Sequence, residues 1–415
     1  MSAIPRRSAA FVLAVLTVTA TAACGGSGFD EGGTPQNQAS GPAKLTVLIA
    51  SSGDAETKAV TGAAQAWASS SGNTVTVTPA QDIVQQLGQG FAAGSPPDVF
   101  YMDAGAFADY ASVGALEPYG EAFPEKEDFY QNLRDSFTYE GKLYCIPKDF
   151  STLALQINTD LWTKAGLTDA DVPKTWDDLR TVAKKLTSGK QAGLAIGDTR
   201  DRIGAFMVQS GGWFLNDDRT QVTADSTENE RALQYVRSLL ADGSAKFPKQ
   251  LDSGWAGEAF GKQRAAMAIE GNWIAGALKN DFPNVKYTVA PLPEGPAGKG
   301  TLSFTQCWGI AAKSANKAQA QELVKALTTK EAQLGFAKAF GVMPSRQSAQ
   351  ADYVAEFPDN KAYIEGADYA QGPVIAPKMT PVLADFDTGL QRLPAAEPKE
   401  LLARLQTNAS AVIGK

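Results

Sequence analysis

From Lys44 onward the chain alternates between strand-length apolar runs and helix-length amphipathic ones, and this alternation restricts the fold more than any other feature. Lys44-Leu45-Thr46-Val47-Leu48-Ile49 reads as a buried strand, and residues 56–69 as a helix with Val60, Ala63, Ala64 and Trp67 on one face. Residues 73–78 alternate as a second strand, 82–93 read as a helix, and Pro97-Asp98-Val99-Phe100-Tyr101 as a third short strand. A β-α-β-α-β order implies a mostly parallel sheet with helices on both faces. Such sheets bind ligands at the carboxyl ends of their strands. Those ends are Ala50-Ser51-Ser52-Gly53-Asp54 and Met102-Asp103-Ala104.

At 415 residues the chain exceeds one ordinary core, so two domains are expected. A hydrophobic content of 44% with 20% charged residues is the balance of a globular protein. The net charge of −7 is spread without a basic block, which argues against nucleic acid as a partner. The sequence contains no histidine. That removes histidine-assisted nucleophiles, a histidine general base and histidine metal ligands together. Hydrolysis by a carboxylate pair survives this test, because a glycosidase needs two acids and no imidazole. No metal site and no cofactor are expected.

Arg6 and Arg7 precede an apolar run from Ala9 to about Ala20. A charged start followed by roughly a dozen apolar residues reads as a secretory signal too short to span a bilayer, the other reading being a buried N-terminal helix. The run ends in Thr21-Ala22-Ala23-Cys24-Gly25, which resembles a bacterial lipobox, where the cysteine is lipidated and becomes the first mature residue. Residues 1–23 are therefore expected to be a lipoprotein signal peptide, by either the general or the twin-arginine export route. Residues 24–43 are rich in Gly, Ser, Gln and Pro and cannot bury enough apolar surface to offset ordering, so they read as a flexible tether. The expected location is outside the cytoplasm, anchored to the cell membrane by the N-terminal lipid.

Further on, a set of short stretches occurs in a fixed order. Pro97-Asp98-Val99-Phe100-Tyr101 is followed by Phe107-Ala108-Asp109-Tyr110 and Gly114-Ala115-Leu116. Gly141-Lys142-Leu143-Tyr144-Cys145-Ile146-Pro147 precedes Leu155-Gln156-Ile157-Asn158-Thr159-Asp160-Leu161-Trp162. Then come Ala165-Gly166-Leu167, Pro173-Lys174-Thr175-Trp176-Asp177-Asp178-Leu179, Gly261-Lys262-Gln263-Arg264-Ala265-Ala266-Met267, Gly271-Asn272-Trp273 and Gly341-Val342-Met343-Pro344-Ser345-Arg346. None is specific alone; in this order they resemble the extracellular solute-binding proteins that serve ABC importers for sugars, the maltose-binding type. The resemblance covers essentially the whole mature chain. Its residues also make local sense, with Thr175 placed to cap a helix that carries early acids.

The resemblance implies an α/β, two-lobed periplasmic-binding-protein fold of type II, its lobes discontinuous in sequence and joined by a hinge. The first lobe would comprise residues 44–148 plus 302–346, and the second 149–301 plus 347–415. Crossings are expected near residues 147–153, 301–306 and 345–352. A small carbohydrate would be enclosed between the lobes by hinge closure and delivered to the transmembrane permease subunits of an ABC importer, the binding protein acting as a monomer.

A sugar presents hydroxyls, which polar side chains pair, and apolar faces, which aromatic rings cover. Trp273 stands where the family keeps a stacking aromatic. Trp213 follows Gly211-Gly212, and Trp255 lies in a glycine-flanked loop with Asp252; each reads equally as ligand contact or wall. Trp67, Trp162, Trp176 and Trp308 read as packing residues. The polar candidates are Asp54 and Glu56 after the first strand, Asp103 after the third, Asp149 in the first crossing and Arg346 in the third. Each also reads as a helix cap or surface charge. Met102 occupies the place of a tryptophan in the maltose-binding type, which points to a ligand other than a long malto-oligosaccharide. Competing readings are a binder of a non-sugar polar solute such as glycerol phosphate or a polyamine, an extracellular glycosidase, and a scaffold without ligand.

With Cys24 lipidated in an oxidising compartment, Cys145 and Cys307 remain as a pair. In the family both places usually hold a small residue and both adjoin an interlobe crossing, so a Cys145–Cys307 disulfide is expected.

Overall fold

A computed structural model describes residues 42–413. The signal peptide, Cys24 and nearly all of the tether lie outside the described residues. The alternation that begins at Lys44 builds the core of a first sheet. Its parallel strands are β1 (Lys44–Ile49), β2 (Thr74–Pro79) and β3 (Val99–Asp103), with β1 between the other two. Leu45, Val47 and Ile49 bury one face of β1. The helix Asp54–Ser71 follows β1, with Asp54 and Glu56 in its first turn, where acids suit the helix dipole. It stops at Gly72, whose φ of 74° places it in the left-handed region that favours glycine.

A small hairpin of β4 (Thr138–Tyr139) and β5 (Lys142–Leu143) precedes β6 (Ile146–Thr152). After Leu153 alone the chain becomes β7 (Ala154–Asn158), which belongs to a second sheet. Its other strands are β8 (Ala192–Ala195), β9 (Ala245–Lys246), β10 (Ala265–Glu270) and β11 (Tyr287–Ala290), and its order is β11-β7-β10-β8-β9. The chain returns in the long β12 (Thr301–Ile310), which pairs antiparallel with both β3 and β6. A last short strand, β13 (Ala370–Gln371), joins β12 in parallel.

Each sheet has its own core. Phe100, Phe107, Phe137, Trp308 and Leu323 are buried around the first. Leu155, Phe206, Leu233, Met267 and Phe386 are buried around the second, which also receives the C-terminal helices Thr380–Leu390 and Pro398–Ser410. A smaller cluster at the β6–β7 junction joins Phe150 and Ala154 to Tyr353, Tyr363 and Ile364.

Local expectations from the sequence are met at several points. Thr175 Oγ accepts from Asp178 N–H at 3.2 Å, and the Asp178 carboxylate accepts from Thr175 N–H at 2.9 Å, a reciprocal cap for the helix Trp176–Leu186. Trp162 and Trp176 are buried, and Trp176 stacks on Tyr235 at 4.3 Å. Cys145 and Cys307 are disulfide-bonded, with Cα atoms 5.7 Å apart. Cys145 directly precedes β6, while Cys307 lies in β12 opposite Pro147, so strand pairing itself brings the sulfurs together.

Candidate functional site

A cavity of about 380 Å³ opens where the two sheets meet. The first lobe contributes Asp103 and the backbone of Ala104, Gly105 and Ala106; the second contributes Arg200, Asp201, Trp213 and Phe214. Leu302 to Thr305 of β12 form its floor, and Gln371 to Val374 run along its side. It thus lies at the carboxyl end of β3, where the parallel-sheet rule puts a ligand.

Asp103 ends β3 and caps the helix Ala104–Ser112, its Oδ1 accepting from Gly105 N–H at 2.8 Å. Burial raises its pKa above the ordinary aspartate value. The Gly105 hydrogen bond and Arg200 act against that rise, and the Asp201 carboxylate across the cavity adds to it. Arg200 opens the helix Arg200–Gln209 and is the one cation among the described residues of the lining. Its guanidinium is committed to Asp387 and to the Leu383 carbonyl, the latter at 3.4 Å. The Asp201 carboxylate is half exposed and lies 3.7 Å from Arg200 Nε. The cavity therefore offers carboxylate acceptors from both lobes against largely apolar walls.

Trp213 lies on the wall of this cavity and of two neighbouring ones. Trp273 is 38% exposed, and its ring stands edge-on to Phe304 of the floor with centroids 5.2 Å apart. The Arg202 guanidinium lies 5.0 Å from the Trp273 ring and 5.5 Å from Phe304, and is held by Glu270 at 2.7 Å. Glu270 also accepts from Trp273 Nε1 at 3.0 Å. A Cβ on Gly271 would meet the Trp273 ring at 2.2 Å, so the Gly-Asn-Trp stretch needs its glycine for the indole to fold back. Its Asn272 ties to the other lobe, donating to the Gly341 carbonyl at 2.8 Å.

Of the residues singled out from sequence, Asp103 and Trp213 line the cavity, and Trp273 contacts Phe304 of its floor. Asp54 is exposed at the start of its helix and not on the lining. Trp255 packs against a cluster around Phe260 and Ile274, away from the cavity. Met102 is 1% exposed and points into the first core. Because side chains alternate along a strand, a β3 that turns Asp103 to the cavity turns Met102 away from it.

Glu56 and Asp149 belong instead to a buried charge cluster beside the cavity. Glu56 accepts from Ser52 N–H at 2.7 Å, Tyr101 Oη at 3.0 Å and Lys148 Nζ at 3.3 Å. Burial raises its pKa, but Lys148, Ser52 and Tyr101 outweigh that and hold it below the ordinary value. Lys148 also pairs with Asp149, whose own pKa is raised by burial. These acceptors are filled from within the chain. Arg346 is 6% exposed and likewise spent: it donates to the Thr328 carbonyl at 2.6 Å and to Glu125 and Asp128 at 2.9 Å each. It fixes the segment after the helix Lys330–Phe340 and is not on the cavity lining.

Arg200, Asp201, Phe304 and Gln371 escaped the sequence reading. For the first two a signal existed, since Arg200-Asp201-Arg202 follows the carboxyl end of β8 and opens a helix.

The family described as bacterial extracellular solute-binding protein matches residues 62–364. Among curated relatives, the diacetylchitobiose binding protein DasA of Streptomyces coelicolor is 25% identical over 289 residues, 65% of each chain. The galactooligosaccharide-binding protein of Bacillus subtilis is 24% identical over 350 residues, 80% of each chain. Among solved structures, the ABC substrate-binding protein Lmo0181 of Listeria monocytogenes, in complex with cycloalternan, superposes with a TM-score of 0.79 at 23% identity. That likeness covers 90% of this chain and all of the other.

Proposed function

The chain belongs to the bacterial extracellular solute-binding proteins, and from that membership we propose that it captures a carbohydrate between its lobes for an ABC importer. The observation that carries the reading is the interlobe cavity, with Trp213 and Phe304 as apolar faces and Asp103, Asp201 and Gln371 as polar partners. Aromatic faces beside hydrogen-bonding groups from both lobes suit a pyranose, whose ring has one surface for each. Closure then brings in acceptors that neither lobe supplies alone. The relatives DasA and the galactooligosaccharide-binding protein are named for oligosaccharides, which supports the same class.

The N-terminal features complete the proposal. Residues 1–23 act as a lipoprotein signal, Cys24 carries the lipid, and the protein presents its ligand to the permease from the outer face of the cell membrane. We assign it no chemistry of its own. Isothermal titration against mono-, di- and trisaccharides tests the substrate class, and silence across the panel would sink it. Mass spectrometry of whatever is released on denaturing the purified protein tests it independently. A chromogenic glycoside should come back unhydrolysed.

A second reading has one specific observation in its favour. Two carboxylates line the cavity from opposite lobes, and Arg200, the one cation among the described lining residues, is already paired with Asp387. That balance disfavours a phosphate ester such as glycerol phosphate and favours a solute with a protonated amine, an amino sugar or a polyamine. Spermidine and glucosamine belong in the titration panel for this reason.

A further inference from the structure

A hairpin tip in the second lobe reaches across to the first. Leu215 and Val222 bridge its base, and Asn216 braces its turn by accepting from the backbone of Thr220 at 3.0 Å and Gln221 at 2.9 Å. At the tip Arg219 adopts φ 59°, a left-handed conformation unfavourable for a residue with a Cβ. This backbone directs the guanidinium outward: one nitrogen donates to the Asp135 carbonyl at 2.9 Å, another to Thr138 at 3.2 Å. Asp135 ends the short helix Gln131–Asp135, and Thr138 starts β4. The two acceptors flank Ser136 and Phe137, the latter buried in the first core, whereas Leu215 is buried in the second.

We infer that Arg219 is a clasp that holds the two lobes closed independently of bound solute. The geometry has three parts. First, the guanidinium reaches the two carbonyls with two separate nitrogens, whereas a lysine would have to reach both from one. Second, the hairpin holds Arg219 in place from within, its N–H donating to the Asn216 carbonyl at 2.9 Å, while its guanidinium donates to the other lobe. Third, the hairpin follows directly on Trp213-Phe214, so whatever contacts Trp213 in the cavity is mechanically close to the clasp. Burial lowers the Arg219 pKa and the Asp135 charge offsets this in part, as befits a guanidinium enclosed between lobes. Asp109 provides a second tie of the same kind, accepting from Lys378 N–H at 2.7 Å and Thr380 Oγ1 at 3.3 Å. A ligand binding the closed form then meets a population already shifted toward it, and its apparent affinity rises by that fraction.

The inference rests on the two-lobe binding reading, and its test separates the two. Solution X-ray scattering of the full chain without added sugar is compared for the native protein, Arg219→Ala and Arg219→Lys. The expected result is a larger radius of gyration for Arg219→Ala, an intermediate one for Arg219→Lys, and melting temperatures that stay together. Superposable scattering curves would overturn the clasp. With diacetylchitobiose as the probe, stopped-flow fluorescence should show dissociation about tenfold faster in Arg219→Ala with association nearly unchanged. Equal dissociation rates would also overturn it. If diacetylchitobiose binds none of the proteins, that outcome counts against the sugar class, and the scattering comparison alone decides the clasp.

Discussion

Leu153 and Thr301, 148 positions apart, close a hydrogen-bonded pair at the point where the chain leaves one sheet and returns to it. Leu153 N–H donates to Thr301 Oγ1 at 3.2 Å, and that hydroxyl donates in turn to the Leu153 carbonyl at 2.8 Å. Both residues are buried. Thr301→Val keeps the shape and removes both bonds, stranding a buried amide and carbonyl. It should cost about 1–3 kcal/mol, read as a lower urea midpoint.

Arg346 separates a structural role from a binding one. It is buried and donates to the buried Thr328 carbonyl as well as to Glu125 and Asp128, which water can reach. Arg346→Ala should lose about 1–3 kcal/mol of stability, chiefly from the stranded Thr328 carbonyl, and leave sugar affinity within twofold. An affinity loss without a stability loss would restore the expectation that it touches ligand.

Trp213→Ala should do the opposite. Trp213 lines the cavity while packing on the second core, so the substitution should weaken sugar binding by roughly tenfold or more, beyond what a modest fall in the denaturation midpoint explains. Trp273 is 38% exposed beside Phe304, so Trp273→Ala should weaken binding too, by less than Trp213→Ala. Titration calorimetry on both proteins checks the order.

Asp103 gives a pH dependence of defined sign. Its folded pKa is raised, so the folded chain holds this proton more tightly than the unfolded one. The ionised form therefore costs stability above the folded pKa, and that cost is relieved as pH falls through the raised value. A ligand that needs the carboxylate as acceptor must lose affinity over the same fall. Binding measured against pH should weaken on the acid side just above the ordinary aspartate range, and Asp103→Asn should flatten that limb.

Replacing Cys145 and Cys307 with serine should lower stability by about 2–5 kcal/mol, and a reductant should bring the native protein to a similar midpoint. Non-reducing peptide mapping should recover the two cysteines on one linked fragment pair.

How much of this was legible depends on what each inference had to cross. Local signals carried well: β1 to β3 and their helices, the Thr175 cap, and the packing of Trp162 and Trp176 all depend on neighbours in sequence. The disulfide came from family resemblance, and strand pairing supplies its physical cause. The site was harder, because β3, β12, the Arg200 helix and the 371–374 segment meet only in space. The carboxyl-end rule named Glu56 and Asp103 alike. It gives a place and no direction, and the donors of Tyr101 and Lys148 turned Glu56 inward. Arg219 had no signal, since its acceptors are carbonyls that every residue carries.

The cysteine pairing has a topological outcome as well. Every strand of the second sheet, from Ala154 to Ala290, lies between Cys145 and Cys307 and hence inside one covalent ring. A protease that cuts one loop within that ring opens the circle without releasing a piece. For a protein expected to work outside the cytoplasm, such nicking would leave both halves of the binding cleft on one molecule until a reductant arrives.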